Sequence, residues 1–235
     1  MTEIIITEKA VNEENVLLIQ TLIEDLLSSS GSVFKFSSDG ERARLTISCM
    51  EYFTDLIRQE IVDKVAELIT IKYKYELFKK SIEITGLSSI EKELLYTSII
   101  AADLEDDKRY VIDKIKDERE FAIDGIYSFR ISALKKKWQD VIGYIPSVFL
   151  QSQLKDFVSY LLENKKRRIF VDNGIVYDSH YRRLKRALLL DGDKIKIIRE
   201  ALLSNCGVVE ISGEIPKDDE YYLKEFYSDK IIFSR

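Results

Sequence analysis

The stretch RRIFVDNGIVYD, residues 167–178, sets two apolar runs on either side of Asn173-Gly174. Asn and Gly tolerate the positive φ that a two-residue hairpin turn demands, so the stretch is predicted as a β-hairpin. Before it, PSVFLQSQLKDFVSYLLEN (146–164) follows a proline and carries an amphipathic helical pattern. Val148, Phe149, Phe157, Val158, Leu161 and Leu162 are its predicted core residues. After it, Asp191-Gly192-Asp193 precedes a predicted helix, KIKIIREALLSN (194–205), which Gly207 follows. VVEIS (208–212) and KIIFS (230–234) read as strands.

The other end of the chain has a matching character. EIIIT (3–7) is a short β-rich run, and Asn12 is placed to cap a helix that ends at SSSGS (28–32). VFKF (33–36) and RARLTIS (42–48) flank Asp39-Gly40, a second predicted hairpin. Between the ends, residues 50–82 and 90–121 repeat apolar residues at intervals of three and four, with Gly86 and Ser88-Ser89 between them. The predicted class is α+β: a small N-terminal β-α-β-β unit (1–50), long central helices (51–164), and a C-terminal β-hairpin plus α/β segment (165–235). Whether the terminal strands share one sheet or form two stays open.

The last of the central helical patterns is FAIDGIYSFRISALKKKWQDVIGYIP (121–146). At 100° per residue, Ile123, Tyr127, Ile131, Leu134, Trp138, Val141 and Ile145 form one stripe, and Ile126, Phe129 and Ala133 a second beside it. Arg130 projects between them and is therefore expected to be a mostly buried structural cation that meets a carboxylate or several backbone carbonyls.

The composition, with 46% apolar and 33% charged residues, supports a folded core and excludes a disordered chain. No apolar run reaches the roughly 20 residues of a membrane helix. The N-terminus lacks a basic segment followed by a long apolar one, so the cytosol is the expected compartment. Cys49 and Cys206 stand apart from any second ligand and read as small buried thiols, and the single histidine, His180, reads as a packing or surface residue. No glycine-rich phosphate loop, nucleophile elbow or zinc-protease motif occurs. DLEDD (103–107) lacks the spacing and glycine of a calcium loop and reads as a solvated helix segment. No cofactor is expected, and the pattern points away from an enzyme.

The net charge of −5 is uneven. Residues 1–127 hold 16 basic and 26 acidic side chains, residues 128–199 hold 16 and 7, and residues 200–235 hold 4 and 8. The basic middle contains Lys135–Lys137, then Lys165, Lys166, Arg167 and Arg168, then Arg182, Arg183, Lys185 and Arg186, interleaved with Tyr160, Phe170, Tyr177 and Tyr181. The last two groups are the candidate binding residues. They suit an acidic protein partner or an acidic surface of the same chain or, as the alternative, a nucleic acid bound through the stretch 128–199.

FRISALKKKWQDVI (129–142), FLQSQLKDFVSYLL (149–162) and the hairpin together resemble the YtxC-like family of sporulation proteins. Phe129-Arg130-Ile131 matches the start of that family's central helix. Asp156-Phe157-Val158 with Leu161 matches its next helix, and Asn173-Gly174 its hairpin turn. Gln151-Ser152-Gln153-Leu154 departs from the acidic, aromatic lead-in of the family. The resemblance covers residues 121–212. It implies a cytosolic protein of endospore-forming bacteria and supplies no mechanism.

Overall fold

The computed structural model describes residues 2–190, 192 and 194–234. Asp191 and Asp193, which were expected to precede a helix, lie outside them. In chain order the elements are β1 (Thr2–Lys9), α1 (Glu13–Ser29), β2 (Val33–Ser38), β3 (Arg42–Cys49), α2 (Thr54–Glu67), α3 (Lys74–Ser81) and α4 (Ser89–Ile115). Then come β4 (Glu120–Ala122), the single turn α5 (Ile123–Gly125), α6 (Ser132–Tyr144), α7 (Gln151–Leu162), β5 (Arg168–Asp172) and β6 (Ile175–Tyr177). The chain ends with α8 (Lys196–Leu203), β7 (Val208–Ser212), α9 (Lys217–Tyr227) and β8 (Ile231–Ser234). The class is α+β, with two separate mixed sheets of order β2-β3-β1-β4 and β6-β5-β7-β8.

The chain clusters into two compact units, one of Met1–Tyr73 with Glu105–Asp140, the other of Lys74–Leu104 with Val141–Arg235. The sequence partition at 50 and 164 follows chain order, whereas each unit combines two separate stretches.

In the first unit β3 pairs antiparallel with β1 and β2, and β4 adds to β1 in parallel. Ile4 and Ile6 of β1 and Ala43, Leu45, Ile47 and Cys49 of β3 alternate onto one buried face. Against it pack Val16, Ile19, Ile23 and Leu27 of α1. A buried π-helical segment, Leu68–Tyr73, continues from α2 to the unit boundary. The second unit holds the predicted hairpin: Asn173 and Gly174 both adopt positive φ, and Asp172 pairs with Ile175. β5, β7 and β8 run parallel, with α8 and α9 as their crossovers. Arg167 donates to the Ser204 carbonyl and Arg186 to the Leu203 carbonyl, so two guanidiniums satisfy the C-terminal end of α8.

The start of α8 is capped from elsewhere. Ile195 precedes it in the left-handed region and supplies no side-chain acceptor. Asp219 of α9 takes that role, accepting from the Ile198 N–H at 2.8 Å. Burial pushes the Asp219 carboxyl up to about 6, against the hydrogen bonds it accepts. Its folded pKa thus exceeds its unfolded one, so the native state holds the proton more tightly. The resulting stability is complete below the unfolded value of 3.8 and is lost as pH rises through about 6. This residue alone should lower stability by about 3 kcal/mol between pH 3.5 and 7. Asp219→Asn keeps an acceptor for the cap, and thermal melts across that range should show a shallower decline than in the wild type.

Several sequence expectations are corrected. Residues 121–146 are not one helix: β4 and α5 are followed by a π-helical turn, Ile126–Arg130, and Ile131 leaves helical geometry. The wider π turn breaks the 100° projection, so Arg130 points outward. Its side chain is 57% exposed and pairs with Glu118 at 2.8 Å, so it is not a buried cation. Phe129 and Ala133 of the second stripe are exposed for the same reason, while Ile123, Ile131, Leu134 and Trp138 of the first are buried. Asp107 of the supposedly solvated DLEDD segment is buried, because α4 runs straight through it and carries that position inward. There it accepts from the Trp138 indole at 2.7 Å and from Lys137 at 2.9 Å. The helix predicted from 146 begins at Gln151, leaving Val148 exposed, and Asn12 makes no side-chain cap to α1. Phe157 and Leu161 are half-buried, and the buried stripe of α7 is Leu154, Val158 and Leu162.

Candidate functional site

The second unit contains an open cleft of about 710 Å³. That volume lies in the usual range of ligand sites, roughly 300–1,000 Å³. Three stretches build it. α3 contributes Tyr75 and Lys79, the connection to α4 contributes Ile82, Glu83, Ile84 and Thr85, and the first turns of α4 contribute Lys92, Glu93 and Tyr96. Ser147 closes one side.

Local chemistry fixes each part. α4 starts with a reciprocal cap: the Glu91 N–H donates to the Ser88 hydroxyl and the Ser88 N–H to the Glu91 carboxylate, at 3.2 and 2.8 Å. The wall beside it is strand-like. Thr85 N–H donates to the Ser147 carbonyl at 2.9 Å, and Phe149 N–H to the Thr85 carbonyl at 3.0 Å. Gly86 makes this approach possible. Its φ is +92°, and a Cβ there would sit 2.7 Å from the Phe149 carbonyl oxygen. Gly86→Ala should therefore destabilise the second unit by at least 1 kcal/mol and loosen this wall. Denaturant melts would measure the loss, with Gly31→Ala, which shares a positive φ of +63° but whose Cβ meets nothing within 4 Å, isolating the part due to the close approach.

The floor is aromatic. Tyr75 and Tyr96 are buried and meet edge to face at 6.1 Å. Behind them Arg199 of α8 is fully buried, with its guanidinium 5.9 Å from the centre of the Tyr75 ring. It forms an ion pair with Glu93, whose side chain is one-third exposed to the cleft. Lys79 also lies within cation–π distance of Tyr75. Burial raises the Tyr96 hydroxyl above the ordinary tyrosine value, so it is neutral at physiological pH. The floor is thus apolar and aromatic, and the rim mixes both charge signs.

Past Ser147 the wall becomes an exposed apolar loop. Val148 is 56% exposed and Leu150 53%, and Leu150 reaches to within 3.6 Å of the Cβ position of Gly86. Exposed apolar groups of this size, gathered beside a cleft, commonly mark an interaction surface.

The predicted basic residues lie elsewhere in the second unit. Arg167 and Arg186 are committed to the end of α8, Arg168 pairs with Glu210 at 3.4 Å, and Arg182 pairs with Asp178 at 2.7 Å. Arg183 and Lys185 border a small cavity of about 80 Å³ with Gly174, Lys196 and Glu200. Lys166 is exposed and Lys165 half-buried. At least four of the eight candidates therefore use their charge on acceptors within the chain. His180 is exposed and sits in a turn held by Asp178, whose carboxylate accepts from the His180 and Arg182 N–H groups. Burial opposes those bonds, yet they hold Asp178 below the usual carboxylate range. Cys49 and Cys206 are buried and free, and burial pushes the Cys206 thiol up to about 12.

Sequence reasoning missed the cleft. Glu93 and Arg199 are 106 residues apart, and only the fold pairs them. α9, which supplies Asp219, was also missed, although Pro216 followed by Asp218, Asp219 and Glu220 is a helix-start signal.

No protein-family model, no characterised protein and no solved structure matches this chain.

Proposed function

We propose that this protein is a binding protein whose cleft and adjoining loop receive an extended segment of a protein partner. The observation behind this reading is that the exposed apolar residues Val148 and Leu150 adjoin the cleft wall at Thr85 and Gly86. The strand-like hydrogen bonding between Thr85 and 147–149 gives the wall the geometry along which an extended chain lies. The resemblance to the YtxC-like family supplies the setting, the cytosol of an endospore-forming bacterium during sporulation. The rival, nucleic-acid binding through 128–199, is weakened by the intramolecular pairing of Arg167, Arg168, Arg182 and Arg186.

Two measurements separate the readings. Val148→Asp combined with Leu150→Asp alters only exposed side chains and should change stability by about 0.5 kcal/mol or less. The double variant should lose a protein that the wild type retains from sporulating cells. Labelled DNA and RNA, titrated at two salt concentrations, should show no steeply salt-dependent binding. Salt-steep binding that disappears when Lys165–Arg168 are reversed to acids would favour the nucleic-acid reading instead.

A further inference from the structure

We propose that β2 pairs antiparallel with β2 of a second copy of this chain, about a two-fold axis at Phe36, so that two four-stranded sheets join into one. The surface belongs to the first unit and does not depend on the cleft.

β2 is an edge of its sheet, and it is the longest of the four sheet edges: six residues, against three in β4 and β6 and four in β8. Short edges resist strand addition, whereas a long apolar one invites it. Among the described residues none shields this edge. Val33, Phe34, Lys35, Ser37 and Ser38 are exposed, and Phe36 is half-buried.

The hairpin decides which backbone groups are open to a further strand. The Asp39 N–H donates to the Arg42 carbonyl at 3.2 Å, so residues 33, 35, 37 and 39 turn their N–H and C=O groups toward β3. The Ala10 N–H, donating to the Glu41 carbonyl from the other side of β3, sets the same phase. The N–H and C=O groups of Phe34, Phe36 and Ser38 therefore turn outward. An antiparallel copy with its axis at Phe36 sets 36 opposite 36 and 34 opposite 38, and each such pair exchanges two hydrogen bonds. Any other two-fold register carries at least one of the three residues past the end of the strand it should meet.

Charge agrees with this register. Lys35, the one charged residue of β2, faces Ser37 of the second copy rather than its own counterpart. Asp39 of the second copy is its diagonal neighbour on the same face, within reach of a long side chain. Asp39 is exposed and engages the Glu41 and Arg42 N–H groups through Oδ1, which leaves Oδ2 for the ammonium. On the opposite face Phe36 meets its own copy in a cross-strand aromatic pair. The pairing is isologous, the arrangement most common among protein dimers.

Sedimentation of the full chain tests this. The wild type should have the mass of two chains and dissociate on dilution. Ser37→Glu places a carboxylate opposite Lys35 of the second copy and should tighten the dimer about fivefold; Ser37→Lys, at the same exposed position, should weaken it about as much. Cross-linking reads the register. Phe36→Cys sets two thiols across the axis with Cα atoms about 5.5 Å apart, within disulfide range, so mild oxidation should give a covalent dimer. Val33→Cys is at a more exposed position but lies roughly 20 Å from its counterpart and should give none. Cys49 and Cys206 are buried and do not compete. A wild type with the mass of one chain at every concentration, a dimer indifferent to both Ser37 variants, or cross-linking at 33 as efficient as at 36 would overturn the proposal.

Discussion

Trp138→Ala should lower stability by about 3–5 kcal/mol, the loss expected for a large aromatic side chain deleted from a packed core. Trp138 has no exposed surface, and its indole N–H is held by the buried Asp107 carboxylate at 2.7 Å. The variant therefore opens a cavity and also removes one of the donors that compensate a buried charge. Trp138→Phe, which keeps most of the volume, should recover much of the loss and isolate the hydrogen bond. Arg130→Ala should change stability by no more than about 0.5 kcal/mol, since its ion pair with Glu118 is largely in solvent. Urea titrations followed by circular dichroism would rank the three. A large loss for Arg130→Ala would mean that the outward orientation of the π turn is wrong.

Glu67→Ala should be comparably severe. Glu67 is buried on α2, where one carboxylate oxygen meets Lys108 at 2.9 Å and the other Lys64 at 2.9 Å. Asp63 adds a 2.7 Å contact to Lys108, and Glu60 a more distant one to Lys64. Burial works against the Lys64 ammonium, but the carboxylates of Glu67, Asp63 and Glu60 more than offset it and raise its pKa above the ordinary lysine value. Removing Glu67 takes the most deeply buried acceptor from two cations, which keep only the more exposed Asp63 and Glu60, at a cost of about 3 kcal/mol. The same principle predicts that the pair is dispensable as a pair. Glu67→Leu combined with Lys108→Leu should recover much of the loss, and a double-mutant cycle measures the coupling. Equal losses for the double and single variants would show that the network contributes through packing alone.

The parts of the fold that were legible in the sequence are those set by local chemistry. Asn173-Gly174 and Asp39-Gly40 announced their hairpins because the turn conformations are nearly exclusive to such residues. The stripe Ile123, Ile131, Leu134 and Trp138 was legible because its members are buried whatever the exact winding of the turn between them. Arg130 was not, because a π turn carries more residues per turn than the projection allows, and nothing in IYSFR signals it. Asp107 was misjudged because a run of acids reads as solvated until the partner on another helix is known; Trp138, 31 residues on, supplies it. The roles of the basic residues likewise needed the fold. The charges of Arg167 and Arg186 read as a surface patch, yet they end a helix whose closing carbonyls lie 37 and 17 residues away in sequence. The cleft was invisible because its lining, residues 75–96 with Ser147, carries no motif.

The docking of a partner at the cleft and its apolar loop is tested most directly by a photo-reactive phenylalanine analogue placed at position 148 of the full chain. The same analogue at position 52 is the control, since Tyr52 is 89% exposed in the other unit. On irradiation in cells that produce the protein, position 148 should give one dominant adduct with another protein, and position 52 should not give it. An identical adduct pattern from both positions, or none from position 148, would contradict the assignment of this surface to a partner.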